Sequence, residues 1–262
     1  MDLWLKDRVS IVTGGGWGIG KATALTFAEE GARVVIADMD ETRGESAAEE
    51  IRSKGGQSIF TNTDVSKWES AVNMVNDTLK AFGQIDVLVN NAGAFRTNFF
   101  MKMTREDWKA EIDVNFYGVL NCVRAVLEHM IERKSGCIIN VSSDAGRVGE
   151  PNQPVYSGTK GAVIAFSKAI AKDVSRYSIR VNSVCPSLTI GERRLEVEKD
   201  LREDPEKWKA YEEWKQSTLR LYPLRRFNEP QDLANTIVYL ASERSCNIHG
   251  QTISINAGYC MP

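Results

Sequence analysis

The sequence predicts an α/β fold of the Rossmann type: a doubly wound parallel sheet of about seven strands, helices on both faces, and a helical substrate lid. Two observations carry that expectation. Short runs rich in Val and Ile, too short for helices, alternate along the chain with longer amphipathic stretches, the rhythm of right-handed βαβ crossovers. The first run passes straight into a glycine-rich turn that opens a helix, the layout of a phosphate cradle. No Pro/Gly/Ser-rich linker or internal repeat divides the 262 residues, so residues 1–262 read as one domain.

Strands are expected at 9–13, 34–37, 58–60, 85–89, 137–141, 179–184 and 252–255, each a run suited to burial on both faces. Helical periodicity is expected at 18–30, 41–53, 66–82, 104–132, 156–176 and 230–242. Residues 187–225 break the rhythm. They are charged and aromatic, with Glu192-Arg193-Arg194 and then Asp204-Pro205, an acidic cap followed by a proline that starts a helix. A connection that long suggests a substrate-binding lid.

Composition removes several classes of function. Lys+Arg 33 against Asp+Glu 35 gives a net charge of −2, with no electrostatic case for nucleic acid or an anionic membrane. A hydrophobic fraction of 42% is ample for a packed interior. No apolar run approaches the roughly 18 to 20 residues of a membrane span. The amino-terminal residues lack the basic-then-apolar layout of a secretory leader, so a cytoplasmic location is expected. The five cysteines (Cys122, Cys137, Cys185, Cys246, Cys260) form no C-x-x-C and do not cluster with His129 or His249, so neither a disulfide framework nor a metal site is expected.

The turn after the first strand reads Thr13-Gly14-Gly15-Gly16-Trp17-Gly18-Ile19-Gly20. Glycines let the backbone approach a pyrophosphate, and the following helix contributes unpaired N–H groups and its positive end. Asp38 ends the second strand, at the distance where a carboxylate accepts hydrogen bonds from the adenosine ribose and repels a 2′-phosphate. With nothing basic at Trp17 or Met39, NAD is expected over NADP, Arg43 being the nearest dissent.

Beyond these residues the chain carries Asp64-Val65, Asn90-Asn91-Ala92-Gly93, Asn115-x-x-Gly118, Ser142-Ser143, Tyr156-x-x-x-Lys160 and Cys185-Pro186. In this order and spacing the motifs resemble the short-chain dehydrogenase/reductase family over nearly the whole chain. The resemblance implies a nicotinamide cofactor and a homotetramer. It places Asp64 and Val65 beside the adenine and Asn91, Ala92 and Gly93 beside the ribose. It also implies that Asn115 anchors a water joining Lys160 to solvent, and that Lys160 holds the nicotinamide ribose. One motif departs: Ser187 follows Pro186 where the family commonly has Gly, and Gly191 stands where it has Thr. Thr189 is the expected substitute, with Pro186 and Ser187, on the nicotinamide side.

Tyr156 and Lys160 lie four apart on one helical face, where a neighbouring ammonium favours the phenolate. Tyr156 is then the acid/base, and Ser143, thirteen residues earlier, steadies the reacting oxygen. Reversible hydride transfer between a secondary alcohol and a ketone is the expected reaction. Phe95 and Arg147, beside Ser143 and Tyr156, are the candidate substrate residues, with Asp144, Val148 and Glu150 nearby and Trp208, Tyr211, Trp214 and Tyr222 as apolar area in the lid. The run Ser143–Gly149 resembles members acting on alicyclic hydroxyacyl-CoA thioesters. Arg193, Arg194, Arg225 and Arg226 are then candidates for a CoA phosphate, a surface or inter-subunit role being the competing reading. The alternatives in function are a 3-oxoacyl thioester reductase and a non-catalytic NAD-binding partner subunit on the same fold.

Overall fold

A computed structural model describes residues 2–261. Seven parallel strands form one sheet: β1 Val9–Thr13, β2 Arg33–Asp38, β3 Gln57–Asn62, β4 Val87–Asn90, β5 Gly136–Val141, β6 Ile179–Pro186 and β7 Thr252–Ile255. Their spatial order is β3-β2-β1-β4-β5-β6-β7. Between them run α1 Gly18–Glu29, α2 Glu41–Ser53, α3 Trp68–Phe82, α4 Arg105–Ile112, α5 Gly118–Arg133, α6 Ala145–Val148, α7 Pro154–Val174, α8 Glu192–Leu201, α9 Pro205–Leu219 and α10 Pro230–Ala241.

Successive strand residues supply opposite layers, as the pleat requires. Val9, Ile11 and Val35 pack with the apolar faces of α3, α5 and α7, while Val12, Val34 and Ile36 pack with those of α1, α2 and α10. Order reverses where β1 lies between β2 and β4, and there the carboxyl ends of the strands open a ligand crevice.

Two elements differ from the sequence expectation. The helix expected over 104–132 is interrupted by a π-helical turn at Asp113–Tyr117, so α4 and α5 are separate. Such a turn inserts a residue into the helical ladder and re-aims a side chain, here Asn115. The long connection holds α8 as well as the helix expected after Asp204. That aspartate caps α9, accepting from Glu206 N and Lys207 N at 3.2 Å each.

A buried amide chain links the sheet to α7. Asn90 Nδ2 donates to Asn140 Oδ1 and Asn140 Nδ2 to Ser167 Oγ, both at 2.8 Å, and Ser167 Oγ donates to Val163 O at 2.7 Å. Buried polar groups stripped of a partner keep the full desolvation penalty. Asn140→Ala is therefore expected to cost about 1–3 kcal/mol. Thermal denaturation should read this as a loss of about 2–4 °C for each kcal/mol; an unchanged Tm would show that the chain does not brace α7.

Candidate active site

Two adjoining clefts open at the carboxyl ends of the strands. The first, about 610 Å³, is lined by Gly14, Trp17, Asp38, Asp64, Val65, Asn91, Ala92 and Gly93, all expected cofactor residues. The turn is as tight as its glycines suggest: a Cβ at Gly20 would stand 2.0 Å from Gly14 O. Helix α1 starts at Gly18 with no side-chain cap, leaving its amino end open to an anion. Asp38 is held from both sides, Oδ2 accepting from Gly16 N at 2.9 Å and Oδ1 from Asp40 N at 3.0 Å. Arg43, the only basic residue lining this cleft among the described residues, lies over the Trp17 ring at 3.4 Å and pairs with Asp40 at 3.4 Å. The uncapped helix, tight turn and fixed carboxylate fit a dinucleotide.

Asn91 lines this cleft and also supports it from behind. Its Nδ2 donates to Thr13 O and Gly14 O at 3.1 Å each, so the amide braces the glycine turn. Thr13, not singled out from sequence, completes the brace: its hydroxyl accepts from Asn91 N at 3.0 Å and Ala92 N at 3.1 Å.

The second cleft, about 530 Å³, brings together Ile19, Phe95, Ser143, Tyr156, Pro186, Ser187 and Thr189. Tyr156 and Lys160 both come from the first turns of α7, whose start follows from Pro154 at its first position. The Lys160 side chain is buried, and Nζ donates to Val141 O at 2.9 Å and lies 5.7 Å from the centre of the Tyr156 ring. Burial lowers its pKa to about 8. Burial likewise raises Tyr156 to about 12, with the Ser143 hydroxyl pulling the other way. The same burial that brings the two together disfavours both charged forms. Of the serine pair, Ser142 donates to Lys160 O at 2.7 Å and is structural. Ser143 faces the cleft; its Oγ accepts from Ala145 N at 3.1 Å. Close packing of α6 on α7 fixes this loop, since a Cβ at Gly146 would meet Gly161 N at 2.6 Å.

Asn115 is fully buried behind this centre. Its amide is spent on Ala94, accepting from Ala94 N at 3.0 Å and donating to Ala94 O at 2.6 Å. The side chain therefore braces the loop.

Phe95 lines the cleft, its ring 5.8 Å from that of Tyr156. Arg147 lies apart from it. Its guanidinium turns to β7, donating to Ser254 Oγ at 2.9 Å and Thr252 O at 3.4 Å, and it does not line the cleft. Asp144 is buried and accepts from Ser254 Oγ at 2.5 Å and Asn256 Nδ2 at 2.7 Å.

Trp214, Thr218, Leu221 and Tyr222 from the long connection close the second cleft, and Glu196 reaches the first. Trp208 and Tyr211 do not line it; their rings meet at a tilt, 5.6 Å apart, and the Tyr211 hydroxyl donates to Glu198 at 2.6 Å to tie α9 to α8. Arg194 lies 4.5 Å over Trp214, Arg225 donates to Arg220 O at 3.1 Å, and Arg226 pairs with Asp232, so all three have local partners. The side chain of Arg193 lies outside the described residues. Sequence reasoning missed Tyr259, which stacks on Tyr222 at 5.0 Å, donates to Glu150 at 2.5 Å and completes the aromatic wall. Among the described residues no group of acidic, His and Cys side chains is arranged to hold a metal, and no helix is long and apolar enough to cross a membrane.

A dinucleotide cradle beside a Ser–Tyr–Lys centre defines an oxidoreductase, and the chain belongs to the short-chain dehydrogenase family, whose model matches residues 8–202. It is therefore an oxidoreductase of a family that binds nicotinamide cofactors. It is 36% identical to a 3-oxoacyl-(acyl-carrier-protein) reductase of Staphylococcus epidermidis, covering 97% of this chain and 100% of that one. A reductase of the same description from Synechocystis is 37% identical over 98% of both chains. Among solved structures, the crystal structure of gox2181 matches with a TM-score of 0.86 and 31% identity, over 98% of this chain and 97% of the other.

The raised phenol and lowered ammonium set a direction of pH dependence. Tyr156 keeps its proton throughout the neutral range, the form able to donate to an oxygen; the phenolate, the form able to take a proton, grows as pH rises. Reduction should hold level near neutrality and fall above about pH 8 as Lys160 loses its charge. Oxidation should climb between about pH 6 and pH 8 and level off as Lys160 loses its charge. Initial rates in both directions check this, and an oxidation rate that falls over that interval would contradict it.

Proposed function

We propose that the protein interconverts a secondary alcohol and a ketone with NAD, using Tyr156 as the acid/base, and that the favoured substrates are uncharged at the reacting end and carry a ring or similar apolar body. The observation that carries this is the convergence of Tyr156 and Ser143 on one aromatic cleft. Ile19, Phe95, Trp214, Tyr222 and Tyr259 supply apolar walls; among the described residues the charged lining groups are the carboxylates Asp144 and Glu150, and no lysine or arginine lines it. Such a lining disfavours an anion at the reacting centre.

A dinucleotide held in the first cleft would supply or accept the hydride through its nicotinamide. In reduction the Tyr156 phenol donates its proton to the substrate oxygen, and the Ser143 hydroxyl donates a hydrogen bond to the same atom. The Lys160 ammonium stabilises the phenolate left behind and offers hydrogen bonds to a ribose beside it. Gly14, Gly18 and Gly20 admit the pyrophosphate, Asp64, Val65, Ala92 and Gly93 flank the adenosine, and Pro186, Ser187 and Thr189 face the nicotinamide. Asn115 supports the loop that carries Phe95. A homotetramer and a cytoplasmic location complete the reading.

Tyr156→Phe should lower ketone-dependent NADH oxidation by about a hundredfold to ten-thousandfold. NADH affinity, read by fluorescence titration, should change little. Retained turnover in that variant would remove the acid/base assignment, and absent NADH binding by the wild type would favour a non-catalytic partner subunit.

The NAD preference is supported by Asp38, whose carboxylate is fixed in the cleft and repels a 2′-phosphate. NADH should bind at least about tenfold more tightly than NADPH, and Asp38→Ala should narrow that ratio. Equal wild-type affinities would overturn the preference.

A second reading, reduction of 3-oxoacyl thioesters, is favoured by the relatives named as 3-oxoacyl-(acyl-carrier-protein) reductases. Comparing kcat/KM for cyclic ketones and 3-oxoacyl thioesters separates the two: the aromatic cleft predicts the cyclic ketones to be better.

A further inference from the structure

Glu111 is a buried carboxylate that the proposed reaction does not use. It lies on the last turn of α4, 1% exposed, where a solvated acidic side chain would be the ordinary expectation. One oxygen, Oε1, accepts from Arg96 N at 2.5 Å; the other, Oε2, has no hydrogen-bond partner among the described residues. Desolvation holds this carboxyl above the usual carboxylate range. A charge-bearing group kept in such a place needs a reason beyond packing.

The reason lies in what Arg96 adjoins. Residues 94–96 have no regular structure, yet Phe95 at their centre is a wall of the second cleft, tilted against Tyr156. Glu111 grips the segment on one side of Phe95 through Arg96 N, and Asn115, four residues on, grips it on the other through both backbone atoms of Ala94. A third tie, Arg96 Nη1 to Asp107 at 3.0 Å, comes from the same helix and is solvated.

We propose that Glu111 is a positioning residue for substrate: together with Asn115 it clamps the 94–96 segment and so fixes the Phe95 wall beside Tyr156. The inference rests on the reading of that cleft as the ketone site. It requires an acceptor at Glu111 rather than a charge, because the donor is a backbone amide. Glu111→Gln keeps an acceptor of the same reach, Glu111→Leu removes it, and Glu111→Asp withdraws it by one methylene.

The test combines hydrogen exchange at the Arg96 amide with steady-state kinetics on a cyclic ketone. Arg96 should be protected in the wild type and in E111Q, and should exchange at least about tenfold faster in E111L and E111D. KM for the ketone should rise about five- to twentyfold in E111L and E111D, with a smaller change in kcat, while E111Q stays near wild type and NADH affinity is unchanged in all. Phe95→Ala should raise KM comparably, and adding it to E111D should raise KM no further. If E111L does not fold, E111D carries both readouts. Exchange that is equal in wild type and E111D would overturn the clamp; faster exchange with an unchanged KM, or E111Q behaving as E111D does, would overturn the positioning role. A wild type that turns over no ketone would count against the reading of the cleft, and the exchange result would still decide the clamp.

Discussion

An ammonium taken out of water must find an acceptor, and most of the active site is arranged around the one that Lys160 finds. Its Nζ reaches Val141 O at the end of β5, while the Ser142 hydroxyl donates to the carbonyl of Lys160 itself. Strand end and helix are therefore tied in both directions at the same residue. Tyr156 sits one helical turn earlier and Ser143 one residue beyond Ser142, so the tie sets the distance between these two groups in the second cleft. The buried Asn90–Asn140–Ser167 chain and the close packing at Gly146 hold α7 further along and across. Burial is also what gives both titratable groups their shifted affinities for protons.

The two clefts divide the work, and the ends of the sheet position both. The glycine turn separates them: Gly14 and Trp17 line the first cleft and Ile19 the second. Above, α8 and α9 are joined through Glu198, which receives the Tyr211 hydroxyl at 2.6 Å and Lys215 at 3.0 Å. The same helix pair extends Glu196 to the first cleft and Trp214 to the second. The carboxyl-terminal residues finish the second cleft, with Tyr259 held between Tyr222 and Glu150.

The sheet was legible in the sequence because strands buried on both faces must be short β-branched runs. The motif residues were legible because their chemistry is local: a glycine turn opening a helix, and a Tyr–Lys pair one turn apart. What escaped is set by contacts distant in sequence. Nothing near Arg147 announces that Ser254 will receive its guanidinium, and nothing near Tyr259 announces Glu150. The continuous periodicity of 104–132 hides the extra residue of the π-turn, so Asn115 could be flagged while its true partner, Ala94, could not. Glu111 resembles any solvated position of an amphipathic helix until the 94–96 segment is folded over it.

The proposed reaction requires a carbonyl held in the second cleft between Tyr156 and a bound nicotinamide. Following the label from deuterated NADH into the product of a cyclic ketone tests this most directly. The account predicts deuterium on the carbinol carbon, on a single face of it. Product lacking the label there, or labelled equally on both faces, would contradict it.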